Sequence, residues 1–228
     1  MSLEGEIIKQ NQELLWAHIF HDSIRGKKAL EKLSLNIGRW AGNYSFFYVL
    51  NRILSDYKPQ NILELGLGES SKLVSTHLNN YLPKARHLII EHDQDWKNRF
   101  ESLFTLSDRS EIIISALQQR IVNQNLVNSY SNFEQILNRK FDLYIIDGPF
   151  GSTSFSRYDI IFAVENFNVS DNFILLIDDF DRKGEQETVR EIEKILIEKN
   201  IKIYKGIYSG IKGVAVLGSE KYKGVESL

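Results

Sequence analysis

The chain has no cysteine, one methionine and three prolines in 228 residues. Without cysteine there is no disulfide scaffold, no thiolate zinc site and no iron–sulfur cluster held by cysteines, which agrees with a reducing compartment. An excess of one charge is missing too: 28 Lys and Arg against 30 Asp and Glu leave a formal charge of −2. That balance argues against a basic surface of the kind that tracks nucleic-acid phosphates. No apolar run reaches the ~18–20 residues a membrane span needs. The opening Met1-Ser2-Leu3-Glu4-Gly5-Glu6 is too polar for a secretory signal. The expectation is a soluble, cytoplasmic chain with neither nucleic acid nor membrane as partner. A chain of this length can bury roughly 70% of its unfolded surface and needs no staples.

What is present divides at Pro59. Before it the pattern is helical: Ile7, Ile8, Leu14, Leu15, Ile19 and Phe20 recur mostly at three- and four-residue spacings between Glu6 and His21. The pattern resumes from Ala29 to Ile37 after Gly26, and a third helix is expected over Tyr44–Leu54. Trp40, Phe46, Phe47 and Tyr48 read as core. After Pro59, short apolar runs alternate with stretches of helical length. Strands are expected at Asn61–Leu65, His87–Glu91, Ile112–Ser115, Leu143–Asp147, Phe173–Asp178, Lys202–Ile207 and Val214–Gly218. Such alternation implies βαβ units and a parallel sheet. The turn-rich Ser209–Gly213 is too short for a crossover helix, so the last two strands form an antiparallel hairpin. The expected fold is α/β: a Rossmann-like, doubly wound, seven-stranded and mostly parallel sheet (59–228) with a C-terminal antiparallel hairpin. Residues 1–58 form a helical extension packed on the same domain, able to cover a site or to make a homodimer.

The first strand ends in Ile62-Leu63-Glu64-Leu65-Gly66-Leu67-Gly68-Glu69-Ser70-Ser71. Two glycines let a loop turn tightly and let a ligand approach the backbone, while the helix starting near Ser70 offers free N–H groups. A purely structural turn would use the same residues. Glu91 ends the second strand 23 residues beyond Gly68, where an acid can accept both hydroxyls of a ribose. A solvated strand-end carboxylate is the other reading. A dinucleotide, and with it an NAD-dependent oxidoreductase, usually calls for a third glycine at the helix start. Glu69-Ser70-Ser71 stands there instead, and Glu64 suits a ligand carrying a positive amino group.

Two further strands end in acids: Phe141-Asp142-Leu143-Tyr144-Ile145-Ile146-Asp147-Gly148-Pro149-Phe150-Gly151, and Phe173–Ile177 followed by Asp178-Asp179-Phe180-Asp181-Arg182. If these strands are neighbours, Asp147, Asp178 and Asp179 converge. Clustered carboxylates need a cation or raised pKa values, and all-oxygen ligands favour a hard ion such as Mg²⁺. Alternatively, the acids cap the following helix or pair with Arg157 and Arg182.

Glu64-Leu65-Gly66-Leu67-Gly68, the acid at Glu91 and seven strands closing in a hairpin resemble the class I S-adenosylmethionine-dependent methyltransferases. The likeness spans Pro59 to the end, and the preceding helices resemble that family's variable cap. It implies that Gly66 and Gly68 line the methionine part of the cofactor, that Glu64 and Ser70 are also cofactor-binding, that Glu91 holds the ribose, and that Ser115-Ala116 touch the adenine. Asp147 with the Asp178-Asp179 pair is similar to metal-dependent sugar and catechol O-methyltransferases. Those carry a base two or three residues after the first Asp, where this chain has Pro149 and Phe150. Asp147–Gly151 with Arg157-Tyr158, and Asp178–Arg182 with Glu185, resemble the loops of glycan-modifying methyltransferases. The resemblance implies transfer of a methyl group to a hydroxyl of a small molecule or glycan, with Asp147 as base or metal ligand and Arg157 and Arg182 as clamps for an acceptor carboxylate. A degenerate cofactor-binding module that docks a partner is the non-enzymatic alternative.

Overall fold

The computed structural model describes residues 3–38 and 40–228. Seven strands form one sheet: β1 (Asn61–Leu65), β2 (Arg86–Glu91), β3 (Ser110–Ile114), β6 (Leu143–Ile146), β7 (Ile174–Ile177), β8 (Ile203–Ser209) and β9 (Gly213–Ser219), in the order β3-β2-β1-β6-β7-β9-β8. β9 alone runs against the others, antiparallel to both β7 and β8. The central strands are buried on both faces, as parallel strands between helix layers must be. Successive residues therefore serve different layers: Ile62 and Ile145 pack with α1 (Leu3–Ser23), α3 (Tyr44–Arg52) and α4 (Glu69–Asn80). Leu63 and Ile146 pack instead with α7 (Asp159–Val164) and α8 (Lys183–Glu198). No described helix is long and apolar enough to cross a membrane.

The N-terminal helices complete one face of the sheet. Phe20, Phe46, Phe47, Leu50 and Ile53 share one buried cluster with Ile62, Leu143, Ile174 and Val214. α1 packs there through Trp16, Ile19 and Phe20 and leaves Leu3, Ile7, Leu14 and Leu15 exposed. The helix expected over Ala29–Ile37 is only α2 (Lys28–Glu31); beyond it the chain has no regular secondary structure. Leu33, Leu35 and Ile37 pack on the core at a two-residue spacing with exposed residues between them, a strand-like period that was open to a helical reading. Trp40, expected in the core, is 94% exposed.

A second departure lies between β3 and β6, where a crossover of helical length was expected. Leu117–Val122 (β4) and Asn125–Tyr130 (β5) form a separate antiparallel pair with Val122 opposite Asn125. The two-residue link Asn123-Gln124 has φ of 47° and 66°, the left-handed pair that matches the twist of a tight hairpin. Asn-Gln is a poor sequence signal for it, because hairpin turns usually carry Gly at the second position. A short α6 (Phe133–Ile136) then leads to β6.

Candidate active site

Strand order reverses at β1, whose neighbours β2 and β6 leave in opposite directions. In open parallel sheets the crevice outside the carboxyl ends at this point receives ligands. The loops after β1 and β6 meet here. Gly66 has φ of 97°, and a Cβ on it would stand 3.2 Å from the Gly148 backbone nitrogen, so glycine is required for conformation and for approach. Gly68 lies at the start of α4 with nothing within 4 Å of where a Cβ would point. A separate cavity of about 690 Å³, lined by Arg86, Arg109, Ser110 and Arg139 among others, opens at the opposite ends of β2 and β3.

Around the glycine loop every acid is held by neutral or local donors. Glu64 is fully buried and accepts hydrogen bonds from the Ser70 hydroxyl and, at 2.8 Å, from the Ser71 hydroxyl. His87 Nε2 lies 2.9 Å from the same oxygen that Ser71 reaches. The carboxylate is thus engaged beneath the loop, where Glu64 and Ser70 brace Gly66 and Gly68 from below. Glu91, 4% exposed, accepts from the backbone N–H groups of Leu67 (3.0 Å), His92 (2.6 Å) and Asp93 (2.9 Å). Asp93 then caps α5 (Gln94–Leu103) through the N–H groups of Asp95 and Trp96. Ser115 is buried with a free hydroxyl just past β3, while Ala116 is exposed. Glu69 turns away to accept from the Asn36 N–H and the Lys72 ammonium.

The next two strand ends differ. Pairing of β6 with β7 brings Asp147 beside Asp178 and Asp179, and one oxygen from each lies within 4.8 Å of the others. Arg157, 4% exposed, runs among them: it donates to the carbonyls of Ile146 (3.1 Å) and Asp178 (2.9 Å), to Asp147 (3.2 Å) and to Asp179 (2.8 Å). So many acceptors make Arg157 a fixed counter-ion for the acids and leave it little to offer an acceptor molecule. Arg182, about half exposed, touches Asp179 at 3.0 Å. A third cation comes from the β8–β9 turn: Lys212 Nζ stands 3.2 Å from Asp179 and 3.6 Å from Asp178. Burial and the neighbouring Asp178 push the Asp147 carboxyl well above its ordinary range. Burial and Asp179 raise Asp178 likewise. Asp179, despite its burial, is held low by Arg157, Lys212 and Arg182.

The donor set fits a hard divalent cation: all ligands are oxygen, and neither oxygen of the fully buried Asp178 has a hydrogen-bond donor. Lys212 escaped the sequence reading, in which Ser209–Gly213 served only as a turn. Tyr130 escaped it as well; it is fully buried with its hydroxyl 3.2 Å from the Ile90 carbonyl, at the Gly66–Gly148 junction.

Among solved structures, the O-methyltransferase TomG of Streptomyces achromogenes, involved in tomaymycin synthesis and in complex with SAM, superposes with a TM-score of 0.56 at 11% identity, over 96% of this chain and 99% of that one. The O-methyltransferase of Bacillus cereus in complex with SAH gives 0.54 at 14% identity, over 89% and 91%. This chain has the class I methyltransferase fold. SAH-bound methyltransferase PaMTH1 of Podospora anserina agrees, with 0.51 at 14% identity over 90% and 87%. No protein-family model and no curated protein sequence matches the chain.

Proposed function

We propose that this protein is a methyltransferase that uses S-adenosylmethionine (SAM) to methylate a hydroxyl of a small molecule or glycan, with a divalent cation at Asp147, Asp178 and Asp179. The observation that carries the reading is the Gly66–Gly68 loop, open to the crevice at the strand-order switch and flanked by buried Glu91, in a fold shared with SAM- and SAH-bound enzymes. Bound there, SAM would supply a methyl group already activated by its sulfonium. The acceptor oxygen would form a bond to that carbon while the carbon–sulfur bond breaks and its electron pair stays on sulfur, giving S-adenosylhomocysteine (SAH). The protein's part is then alignment and removal of one proton. Gly66 and Gly68 admit the cofactor against the backbone, and Glu91 lies beside them to receive the ribose. With no cation bound, Asp147 receives the hydroxyl proton, for which a carboxyl raised by burial is suited. A cation held by the three aspartates would lower the pKa of a bound hydroxyl.

Thermal melts with SAH, with NAD⁺ and with neither test the cofactor. Ligand at a hundredfold excess over its Kd adds about 2.7 kcal/mol, a rise of roughly 5–10 °C for a chain of this size. A shift with SAH and none with NAD⁺ is expected; the reverse would make the chain a dinucleotide-dependent enzyme. Asp147→Asn should keep that SAH shift and lose turnover of hydroxyl acceptors by a factor on the order of 10² or more. Retained turnover would remove Asp147 from the chemistry.

A further inference from the structure

Lys212 is placed by the backbone rather than by chance of a long side chain. β9 begins where β7 ends, with Ala215 opposite Ile177. The turn is pinned to the loop that carries the acids: Phe180 N–H donates to the Gly213 carbonyl at 2.8 Å, and Gly213 N–H donates to Asp181 at 3.0 Å. On the other side Glu13 of α1 accepts from Ile211 N–H at 3.0 Å, and the Asn43 amide donates to the Lys212 carbonyl at 3.3 Å. From this fixed base the ammonium lies in ion-pair range of Asp178 and Asp179 and donates a hydrogen bond, at 3.0 Å, to the carbonyl of Ala41, in the segment that joins α2 to α3 and carries exposed Trp40.

Arg157 and Lys212 compensate the same acids by different means. Arg157 is locked by two backbone carbonyls besides its carboxylates. Lys212 has one such tie and a flexible four-carbon stem, with a side chain 13% exposed. An ammonium 3.2 and 3.6 Å from two carboxylates occupies the ground that a divalent cation bound to them would need. We infer that Lys212 is a built-in competitor for the divalent site: a cation binding Asp147, Asp178 and Asp179 expels the ammonium, and its withdrawal breaks the tie to Ala41, so that occupancy of the acids loosens the segment over them. The inference rests on the acidic triad being the cation site of the proposed reaction.

The test counts free Mn²⁺ by electron paramagnetic resonance during titration of the wild type, Lys212→Met and the double variant Lys212→Met with Asp178→Asn, with each folded state checked by its melt. Lys212→Met should bind Mn²⁺ tighter by about tenfold or more, and the double variant should lose that gain. Hydrogen exchange in the wild type adds a readout that a purely electrostatic lysine would not move: Mn²⁺ should speed exchange at residues 40–43. Equal or weaker Mn²⁺ binding by Lys212→Met overturns the competition, as does tighter binding without any change in exchange. If neither protein binds Mn²⁺, the inference and the cation in the proposed function fall together. SAH melts on the same samples report separately on the cofactor.

Discussion

Two stretches of the same sheet edge handle buried carboxylates in opposite ways. At β1 and β2, Glu64 and Glu91 are held by serine hydroxyls, a histidine ring and backbone N–H groups. At β6 and β7, Asp147, Asp178 and Asp179 receive few neutral donors and are surrounded by Arg157, Arg182 and Lys212. Hydrogen bonds to fixed donors give a carboxylate one position, at Glu64 to brace a loop that a ligand approaches and at Glu91 to stand beside that loop. Compensation by side-chain cations leaves oxygens without donors, as at Asp178, and an ammonium on a flexible stem can exchange for another positive charge. The first region is built to keep a shape. The second is built to change partners.

Removing the locked cation should break the second region most severely. Arg157→Met takes from Asp147 and Asp179 their common partner and leaves buried Asp179 only Lys212 and the half-exposed Arg182, and breaking a buried pair costs about 3–5 kcal/mol. Chemical denaturation at neutral pH should show that loss, along with Tm lower by roughly 10 °C. A loss below about 1 kcal/mol, the range of exposed ion pairs, would mean that the acids take up protons instead and that cations do not sustain this region.

The two regions were unequally legible in the sequence. Gly66, Gly68 and Glu91 sit within one βαβ unit, so local spacing sufficed to bring them together. Asp147, Asp178 and Asp179 could be read as strand-end acids, because Leu143–Ile146 and Ile174–Ile177 are continuous apolar runs of strand length. Their meeting depended on which strands pair, and that followed from the fold class. Lys212 was invisible because its role comes from register: β9 must run back along β7 before a lysine in a glycine-flanked turn faces two aspartates. Trp40 and residues 33–37 misled for a related reason, since apolar character shows what a chain could bury but not which face tertiary packing leaves open. The β4–β5 hairpin hid because two non-glycine residues occupy its left-handed turn.

Asp159, at the start of α7, stands between the two regimes and gives the finer test. It is fully buried; one oxygen accepts from the Ser129 hydroxyl (2.6 Å) and the Tyr130 N–H (3.0 Å), while the other has no donor. Burial outweighs those bonds and pushes its carboxyl up to about 6. In the unfolded chain it titrates near 4, so between about pH 4 and 6 the folded state holds a proton that the unfolded state has lost. The contribution of Asp159 to stability is therefore greatest below pH 4, falls as pH rises through this window and is flat above it, by an amount on the order of 3 kcal/mol. Asp159→Asn keeps an oxygen for Ser129 and Tyr130 but cannot titrate. The wild-type unfolding free energy minus that of the variant should decline across the window. A level difference from pH 4 to 7 would show that two neutral donors suffice to keep a buried carboxylate charged here, and would leave cations necessary only where acids crowd one another.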